Sequence, residues 1–488
     1  MDEDKKVMLL LAIIVVWGFG LRVYDLGYHS YSMDESYSVL STINMEKYGI
    51  PMFDSGTRYL RHLPFSAVLF VFGRFGYDEW TMRFPSVIFG TLLIIVVFFY
   101  SRRLFGDEHI TAHHGVRGGM NDYMALVPAC LVAFSEYFIA WSRQARHYSL
   151  FVLLFFVSLY FLERFVKKPD ERSLLWLTLF TVLAVMTHQF AMVLLIIYFF
   201  TFLLNFSKVQ GVKVHFGVWL LVLPAVLYIG RSIVKDLMYL DMKMNYVSDY
   251  FGFFHEQYFV FLYLSVAGLF LLRGNRNVGA LLLGGIAAFF LHALFVHLQA
   301  YRYLLYLTVF LFIFAAPALL YIPALFRDRR LQVVLVIAVM GFAMSNNFIF
   351  APRSQVWLEP DTPQPDMRSA LGSIDLQEDD IVITVYTALT ELYLRKPDYW
   401  LAFDFSRMNR TDAWLNDDGR EKYANVSPIL DYKQFSDVVS SGHGYIIVDE
   451  MSRMRIDDEI VDALDDMIVV FSKDEGFWTK VWVYEFGG

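Results

Sequence analysis

The stretch Tyr28-His29-Ser30-Tyr31-Ser32-Met33-Asp34-Glu35-Ser36-Tyr37 directly follows the first apolar segment of the chain. Two adjacent carboxylates lie here among aromatic and hydroxyl side chains, where the chain is expected to leave a bilayer. Ionisable groups at a membrane face are costly to desolvate and are often functional. A structural interpretation also exists, because Ser32 and Asp34 are both good N-cap residues. The stretch therefore predicts a helix cap or a reactive site, and the other segments decide between them.

The composition of the 488-residue chain is that of a membrane protein. Hydrophobic residues make up 57% and aromatic residues 18%, and the mean hydropathy is +0.44. Many apolar runs are about 20 residues long, which is the length that a helix needs to cross a bilayer. The single cysteine, Cys130, excludes a disulfide framework within the chain and is interpreted as a buried small hydrophobe.

The charge distribution divides the chain near Pro352. Residues 1–351 carry 28 basic and 22 acidic residues, a net charge of +6, whereas residues 352–488 carry 13 and 27, a net charge of −14. This asymmetry indicates two regions in different solvents. An acidic region without a basic stripe argues against a nucleic-acid partner. We therefore predict a membrane domain over 1–351, with a first outer loop at 25–81, and a soluble domain over 352–488.

The soluble region contains short β-branched and aromatic runs that predict strands, namely Ile381–Tyr386, Tyr445–Val448, Met467–Phe471 and Val481–Tyr484. Helical patterns lie between or beside them, near 366–373, 387–395, 433–440 and 457–466. The alternation of strands and helices indicates a small α/β domain with a partly parallel sheet.

Eleven segments are predicted to span the membrane: 7–24, 82–103, 122–141, 147–166, 173–188, 189–206, 214–231, 255–272, 278–297, 301–324 and 331–350. The segment 62–77 is only about 15 residues long, which suits a re-entrant or interfacial helix. With a cytoplasmic N-terminus, the loops rich in Lys and Arg all lie inside. The predicted fold is therefore an α-helical polytopic protein of the cell membrane, with its α/β domain outside the cytoplasm.

Unusual polar residues gather in the loops of the outer face, and this convergence indicates a functional site. One carboxylate of the Asp34-Glu35 pair can take a proton from an acceptor hydroxyl or amine, and the other can hold a metal or orient a donor. Arg58, Arg61 and His62 suit a lipid phosphate, because guanidinium groups bind phosphate oxygens bidentately. General binding of lipid head groups is the plainer alternative for these three residues.

Arginines on the outer side run against the positive-inside trend and therefore need a reason. Arg143 and Arg146 are three residues apart, so both can lie on one helix face, close to Tyr148. Pairing with a carboxylate or a phosphate supplies the reason, and a purely structural turn is the alternative. Arg302 follows Tyr301 at the start of another span and is a further phosphate candidate.

Three more positions are candidates for supporting roles. Arg83 enters a span at the outer face and is either a phosphate ligand or an anchor for the first loop, of which the anchor is preferred. His188 lies between two spans, and His255-Glu256 ends the predicted 232–256 loop, so these residues are candidates for proton shuttles or substrate contacts. A lone histidine at a helix end is more often a cap or an interfacial residue.

Other kinds of site are disfavoured. His109, His113 and His114 lie in a glycine-rich loop predicted to be cytoplasmic, away from the other candidates, so a metal site there is not favoured. The sequence has no GxGxxG after a strand, no Walker P-loop and no CxxC. A nucleotide site is therefore unsupported.

The chain resembles the C-type (GT-C) membrane glycosyltransferases, and most of all the branch of the protein O-mannosyltransferases and the lipid A aminoarabinose transferase. The resemblance covers roughly 30–305, in the family's order. The matching stretches are Met33-Asp34-Glu35, His62-Leu63-Pro64-Phe65, Glu79-Trp80-Thr81-Met82-Arg83-Phe84-Pro85-Ser86-Val87-Ile88-Phe89-Gly90, Arg102-Arg103-Leu104-Phe105-Gly106, Ser142-Arg143-Gln144-Ala145-Arg146-His147-Tyr148 and Tyr301-Arg302-Tyr303-Leu304-Leu305.

The resemblance implies an inverting transfer of a sugar from a polyprenyl-phosphate donor to a lipid, glycan or protein acceptor outside the cytoplasm. It implies that Asp34 is the general base or directly supports it. It makes Arg58, Arg61, His62 and Arg302 candidates for the donor phosphate. The family often has two prolines where this chain has Leu63-Pro64, and its phosphate-binding residue varies among branches.

The resemblance also bears on cofactors. The Asp34-Glu35 pair is a candidate site for a divalent cation, as in the oligosaccharyltransferases of the same superfamily. The metal-independent branches resemble this chain more closely, so no metal is expected to be required.

Two other functional classes are weighed against an enzyme. A transporter or flippase of lipid-linked sugars should show inverted repeats and polar groups near the bilayer midplane. Here the polar groups lie at one predicted face, and no repeat is visible. A membrane scaffold that displays the acidic domain leaves the outward arginines and Asp34-Glu35 unexplained.

Overall fold

The structure is a computed structural model that describes residues 3–106, 120–206, 245–296, 299–326, 328–354, 356, 365–404, 414–474 and 480–487. The predicted span 214–231 lies outside the described residues, as do His109, His113 and His114. The chain divides into two compact units. The helical unit comprises Met1–Tyr24 and Ser86–Trp357, and the sheet unit comprises Asp25–Pro85 and Leu358–Gly488. The first outer loop therefore groups with the acidic region, which the charge pattern alone did not indicate.

Apolar helices make up the helical unit. Six helices among the described residues are long and apolar enough to cross a membrane: Glu3–Val23, Glu79–Phe105, Tyr148–Lys167, Val247–Leu271, Arg276–Phe295 and Tyr301–Tyr321, the last of which includes a 3-10 turn at Tyr301–Leu304 and the α-helix Leu305–Ala324. The shorter helices are Met120–Phe134, Glu136–Ser142, Glu171–Thr187, Gln189–Met192, Val193–Leu204 and Arg329–Ala343. The chain is thus a multi-pass membrane protein, as predicted.

Several details of the predicted spans differ in the structure; the helix of the predicted span 331–350, for example, ends at Ala343. The segment 122–141 is divided at Ser135, whose hydroxyl hydrogen-bonds the Tyr258 hydroxyl at 2.9 Å. The predicted loop 232–256 is wrong at its C-terminal end, because the helix begins at Val247 rather than near residue 255. Tyr250 and Phe253 are buried there and give this first part of the helix an apolar face.

Close helix packing in the helical unit depends on a glycine. Helix Val247–Leu271 packs against Leu305–Ala324. A Cβ added to Gly268 would lie 1.8 Å from the carbonyl oxygen of Phe314, which is a backbone atom and cannot move aside easily. Small residues that allow such backbone approach are typical of membrane helix pairs.

The sheet unit contains a six-stranded sheet and short helices. Its strands are β1 (Ile381–Thr384), β2 (Tyr399–Leu401), β3 (Ser427–Ile429), β4 (Gly444–Asp449), β5 (Ile468–Lys473) and β6 (Val481–Phe486), in the order β3-β2-β1-β4-β6-β5. Its helices are Met33–Ile43, Met45–Tyr48, Leu60–His62 (3-10), Leu63–Phe72, Met367–Gly372, Thr387–Tyr393, Tyr432–Val439, Glu450–Arg453 and Asp458–Asp465.

The sheet confirms the predicted α/β region and its partly parallel character. Strands β3, β2, β1 and β4 are parallel, whereas β6 and β5 run antiparallel to their neighbours. Strands β2 and β3 were not predicted, because each has only three residues and shows no alternation of polar and apolar side chains.

A histidine directly before strand β4 links two acidic residues. His443 Nδ1 lies 2.7 Å from Asp380 Oδ1, and its Nε2 lies 3.1 Å from Glu485 Oε1. The hydrogen bond to Asp380 is the largest cause that raises the pKa of His443 above its ordinary value, and the hydrogen bond to Glu485 is the second largest. Because the folded state then holds the proton more tightly than the unfolded chain, the stabilisation is complete below about pH 6.5 and is lost as the pH rises through the folded pKa.

We expect His443→Gln to remove this pH-dependent part of the stability. The measurement is the Tm in detergent as the pH rises from below 6.5, and the wild type should lose more Tm than the variant. His255→Gln, at an exposed histidine of the helical unit, is the matched control. Parallel curves for wild type and His443→Gln would contradict the expectation.

Candidate active site

The first turn of helix Met33–Ile43 is held by a capping box. The Ser32 hydroxyl accepts a hydrogen bond from the Glu35 backbone N–H at 3.3 Å, and Glu35 Oε2 accepts one from the Ser32 N–H at 2.9 Å. The spacing Ser-x-x-Glu is the sequence signature of this arrangement. The stretch 28–37 therefore contains a helix cap, and the cap uses Ser32 and Glu35.

Glu35 also forms a buried ion pair with Arg83. Arg83 Nε donates to Glu35 Oε1 at 2.8 Å, and Arg83 Nη2 donates to Oε2 at 2.9 Å. The other hydrogen bonds of this guanidinium go to the carbonyl oxygens of Leu26 (3.0 Å), His29 (2.8 Å) and Ser30 (2.9 Å). Arg83 therefore anchors the first loop to the start of the helix.

The two adjacent carboxylates consequently differ in environment. Glu35 is 0% exposed, and both of its oxygens accept hydrogen bonds, which leaves little room for a metal ion. The described residues contain no group of three or more His, Cys, Asp or Glu side chains arranged to hold a metal. Asp34 is only partly buried, in the first helical turn, where the helix dipole favours a negative charge. Asp34 is thus the more accessible carboxylate of the pair.

The arginines predicted near Asp34 lie at the surface of the sheet unit. Arg58 and Arg61 are exposed, and neither forms an ion pair with the residues that the structure describes. His62 is partly buried, and its ring makes an edge contact with Tyr59, with centroids 5.7 Å apart. These side chains can meet an anionic ligand, and no carboxylate in the described part of the chain competes for the two arginines.

A second group of predicted residues meets inside the helical unit. The Arg146 guanidinium lies 5.8 Å from the Tyr148 ring centre, and Tyr148 contacts Trp141 with centroids 4.9 Å apart. The Arg302 guanidinium lies 5.7 Å from the Trp141 ring centre. Both arginines are 6% exposed. Two buried cations thus share one aromatic cluster, which suits an anionic group in a region of low dielectric.

His188 joins this cluster. Its ring centre lies 5.7 Å from that of Tyr148 and 5.8 Å from that of Tyr303, which also lies against Arg302. His188 additionally caps the turn Gln189–Met192, because its Nδ1 accepts a hydrogen bond from the Phe190 N–H at 3.2 Å. His188 is therefore a cap, one of the roles that the sequence allowed, and its ring also belongs to the aromatic cluster.

The sequence prediction missed two histidines of this cluster. His147 stacks on His188, with centroids 5.1 Å apart. The ring centre of His292 lies 6.4 Å from that of Tyr303; His292 is 0% exposed, and its Nε2 lies 2.8 Å from the Tyr306 hydroxyl. A signal for His292 existed, because an ionisable residue within an apolar span is by default a functional candidate.

Arg143 has a different role from Arg146. It is buried and donates hydrogen bonds to the carbonyl oxygens of Leu21, Tyr24 and Ser354. These bonds satisfy backbone groups at the end of the first helix and after the last one. Among the contacts described, Arg143 therefore anchors the backbone of the helical unit. This structural role explains why an arginine occurs on the predicted outer side.

The remaining predicted residues lie apart from the aromatic cluster. The Tyr301 carbonyl accepts a hydrogen bond from the Tyr137 hydroxyl, and the Tyr301 ring stacks on Phe253 at 4.7 Å between centroids. His255 and Glu256 are exposed within helix Val247–Leu271, so their predicted position at the end of a loop is wrong.

Part of the chain matches the model of a known protein family. Residues 66–229 match the model of the dolichyl-phosphate-mannose-protein mannosyltransferase family. A search of curated protein sequences found no match.

Solved structures match over nearly the whole chain. ArnT from Cupriavidus metallidurans in the apo state matches with a TM-score of 0.60 and 13% identity, over 99% of this chain and 98% of that chain. ArnT of the same organism bound to undecaprenyl phosphate matches with a TM-score of 0.59, 13% identity and the same coverage of 99% and 98%. The oligosaccharyltransferase of Archaeoglobus fulgidus, tethered to an acceptor peptide that contains an NVT sequon, matches with a TM-score of 0.54 and 11% identity, over 91% and 69%. The chain therefore has the fold of the C-type (GT-C) membrane glycosyltransferases.

Proposed function

We propose that the chain is a membrane glycosyltransferase that moves a sugar from a polyprenyl-phosphate donor to a lipid, glycan or protein acceptor outside the cytoplasm, with inversion at the anomeric carbon. The observation that carries the proposal is the fold match along 99% of the chain to an ArnT bound to undecaprenyl phosphate. The family model over residues 66–229 supports the same reaction class. The N-terminus is cytoplasmic and the sheet unit extracytoplasmic in this proposal.

Asp34 is the general base of the proposed reaction. It takes the proton of the acceptor hydroxyl or amine while that nucleophile forms a bond to the anomeric carbon. The bond from this carbon to the phosphate oxygen breaks, and the polyprenyl phosphate leaves with the electron pair. Attack opposite to the leaving group inverts the anomeric configuration.

Basic side chains stabilise the leaving phosphate. Arg302 is the candidate in the helical unit, and Arg58, Arg61 and His62 are the candidates in the sheet unit. Guanidinium groups match the oxygen geometry of phosphate and stabilise the charge that develops on it. Glu35 and Arg83 position Asp34 by fixing the first helical turn, and they need not touch the substrate.

The test is a transfer assay with the purified chain and a short-chain polyprenyl-phosphate sugar, offered with membrane lipids and a protein extract. We expect release of polyprenyl phosphate, measured by mass spectrometry, and a product whose anomeric configuration by NMR is opposite to that of the donor. Tight donor binding without release would favour a transporter or flippase. Absence of donor binding would contradict the glycosyltransferase proposal.

We expect the transfer rate to be independent of divalent cations. Both oxygens of Glu35 are hydrogen-bonded, so Asp34 and Glu35 do not make the two-carboxylate site that such a cation would need. The measurement is the rate after dialysis against EDTA, with and without added Mg²⁺ or Mn²⁺. A rate that falls on chelation and returns with one of these metals would contradict the expectation.

Arg302→Met should weaken the use of the donor. Hydrogen bonds between charged groups are worth about 1.5–3 kcal/mol, so kcat/KM for the donor should fall by about 10- to 100-fold. Arg172→Met, at an exposed arginine of the same unit, is the matched control. Equal donor kinetics in Arg302→Met and wild type would remove Arg302 from the phosphate site.

A further inference from the structure

A tight loop of the C-terminal region lies beside the helix that carries Asp34. Glu421 organises this loop: its backbone pairs with Leu415 and Val426, and its Oε2 accepts a hydrogen bond from the Ala424 N–H at 2.6 Å. The Glu421 side chain is 1% exposed. Asn425 closes the loop with a φ of 58°, a left-handed conformation that asparagine tolerates better than most residues. The loop is therefore held in one shape by its own hydrogen bonds.

This loop packs on residues of the first outer loop within the sheet unit. The Ser55 hydroxyl donates to the Lys422 carbonyl oxygen at 2.5 Å. The Tyr423 ring stacks on Tyr37, with centroids 4.2 Å apart and planes at 30°, and it meets Phe53 edge-on at 4.9 Å. Aromatic pairs prefer such stacked and edge-on arrangements, so the position of Tyr423 is well defined.

Tyr423 is placed close to Asp34 by this stacking. Tyr37 follows Asp34 by three residues in helix Met33–Ile43, so both side chains lie on one helix face, one turn apart. Tyr37 is almost fully buried, whereas Tyr423 and Asp34 are partly exposed. The charges of Asp34 and Arg61 both act on the Tyr423 phenol. A carboxylate, a phenol and a guanidinium, each at least partly exposed, therefore lie near one another in the sheet unit.

These groups suit a polyhydroxylated ring. Burial, together with the neighbouring Tyr59, Glu421 and Asp34, raises the pKa of Tyr423, so its hydroxyl remains a hydrogen-bond donor across the physiological pH range. A phenol donor and a carboxylate acceptor can hold the hydroxyls of a sugar, and Tyr59 and Tyr423 offer aromatic carbon to its apolar face.

We propose that Tyr423 is an acceptor-binding residue supplied by the C-terminal region, and that the acceptor group bound beside Asp34 is a sugar ring with free hydroxyls. This inference rests on the proposed function and deepens it, because it names the acceptor class and assigns a role to the C-terminal loop. Asp34 takes the proton from one ring hydroxyl while Tyr423 donates a hydrogen bond to another, which fixes the hydroxyl that reacts.

The test uses methyl α-D-mannopyranoside as the sugar probe and a short Ser/Thr peptide as the competing probe. Tyr423→Phe keeps the ring and its stacking but loses the hydroxyl, and Tyr432→Phe, at an exposed tyrosine of the same unit, is the control. We expect Tyr423→Phe to raise the KM for the glycoside by about 3- to 10-fold, as for the loss of one hydrogen bond, with kcat and the donor KM within two-fold of wild type.

A second readout separates this inference from the proposed function. Saturation-transfer NMR measures binding of the glycoside without turnover, and Tyr423→Phe should weaken that signal while Tyr432→Phe should not. Glycoside binding that depends on Tyr423, without release of polyprenyl phosphate, would overturn the transfer reaction and leave the binding role intact. Transfer to the peptide but not to the glycoside would overturn the sugar acceptor. A loss of kcat with an unchanged acceptor KM would overturn the binding role of Tyr423.

Discussion

Asp34→Asn is expected to reduce transfer by about 10²- to 10⁴-fold, the range that a positioned general base contributes. The substitution keeps the size of the side chain and its place in the first turn of helix Met33–Ile43, but it removes the group that accepts the proton. The helix should persist, because its cap depends on Ser32 and Glu35 rather than on Asp34. The measurement is the rate of polyprenyl-phosphate release at saturating donor, beside the Tm of each protein in detergent.

The matched control for this variant is Glu46→Gln. Glu46 belongs to the same outer loop, and its exposed ion pair with Arg74 has an N–O distance of 3.0 Å. An exposed pair of this kind contributes little to stability, so both the rate and the Tm should stay near the wild-type values. A folded Asp34→Asn protein with full activity would exclude Asp34 as the base.

The fold was largely predictable because membrane spans and buried strands leave strong apolar patterns. The run that begins at Val7 and the strand pattern at Tyr445–Val448 both coincide with observed elements. The start of helix Val247–Leu271 was not predictable in the same way, since His255 and Glu256 interrupt its apolar pattern. These two polar residues face outward within the helix, and tertiary burial of Tyr250 and Phe253 sets the true start.

The candidate site was predictable in its residue types but not in the division of their roles. Residue types alone did not decide which carboxylate of the Asp34-Glu35 pair has which role, whereas the burial of Glu35 against Arg83 separates them. Spacing placed Arg143 and Arg146 on one helix face, but the helix ends at Ser142 and the two side chains have different partners. The link between Tyr37 and Tyr423 joins residues 386 positions apart, and no local pattern can signal such a contact.

Breaking the buried pair of Glu35 and Arg83 is expected to cause a large loss of stability. Removing one partner leaves an uncompensated buried charge, and such changes typically cost about 3–5 kcal/mol. Arg83→Met also removes the donors for the Leu26, His29 and Ser30 carbonyls, so it should lower the Tm further than Glu35→Gln. The measurement is thermal unfolding in detergent of both single variants and of the double variant.

The double variant tests whether the cost arises from the pair. If each single loss reflects the stranded partner, the double variant should lose clearly less Tm than the two single losses added together. Arg74→Met, which breaks the exposed pair with Glu46, is the control and should change the Tm little.

The same variants also decide the role of Glu35. A Glu35→Gln protein with wild-type Tm and no transfer would make Glu35 a catalytic group, whereas a lowered Tm with activity retained below it would leave Asp34 as the catalytic carboxylate and Glu35 as its support.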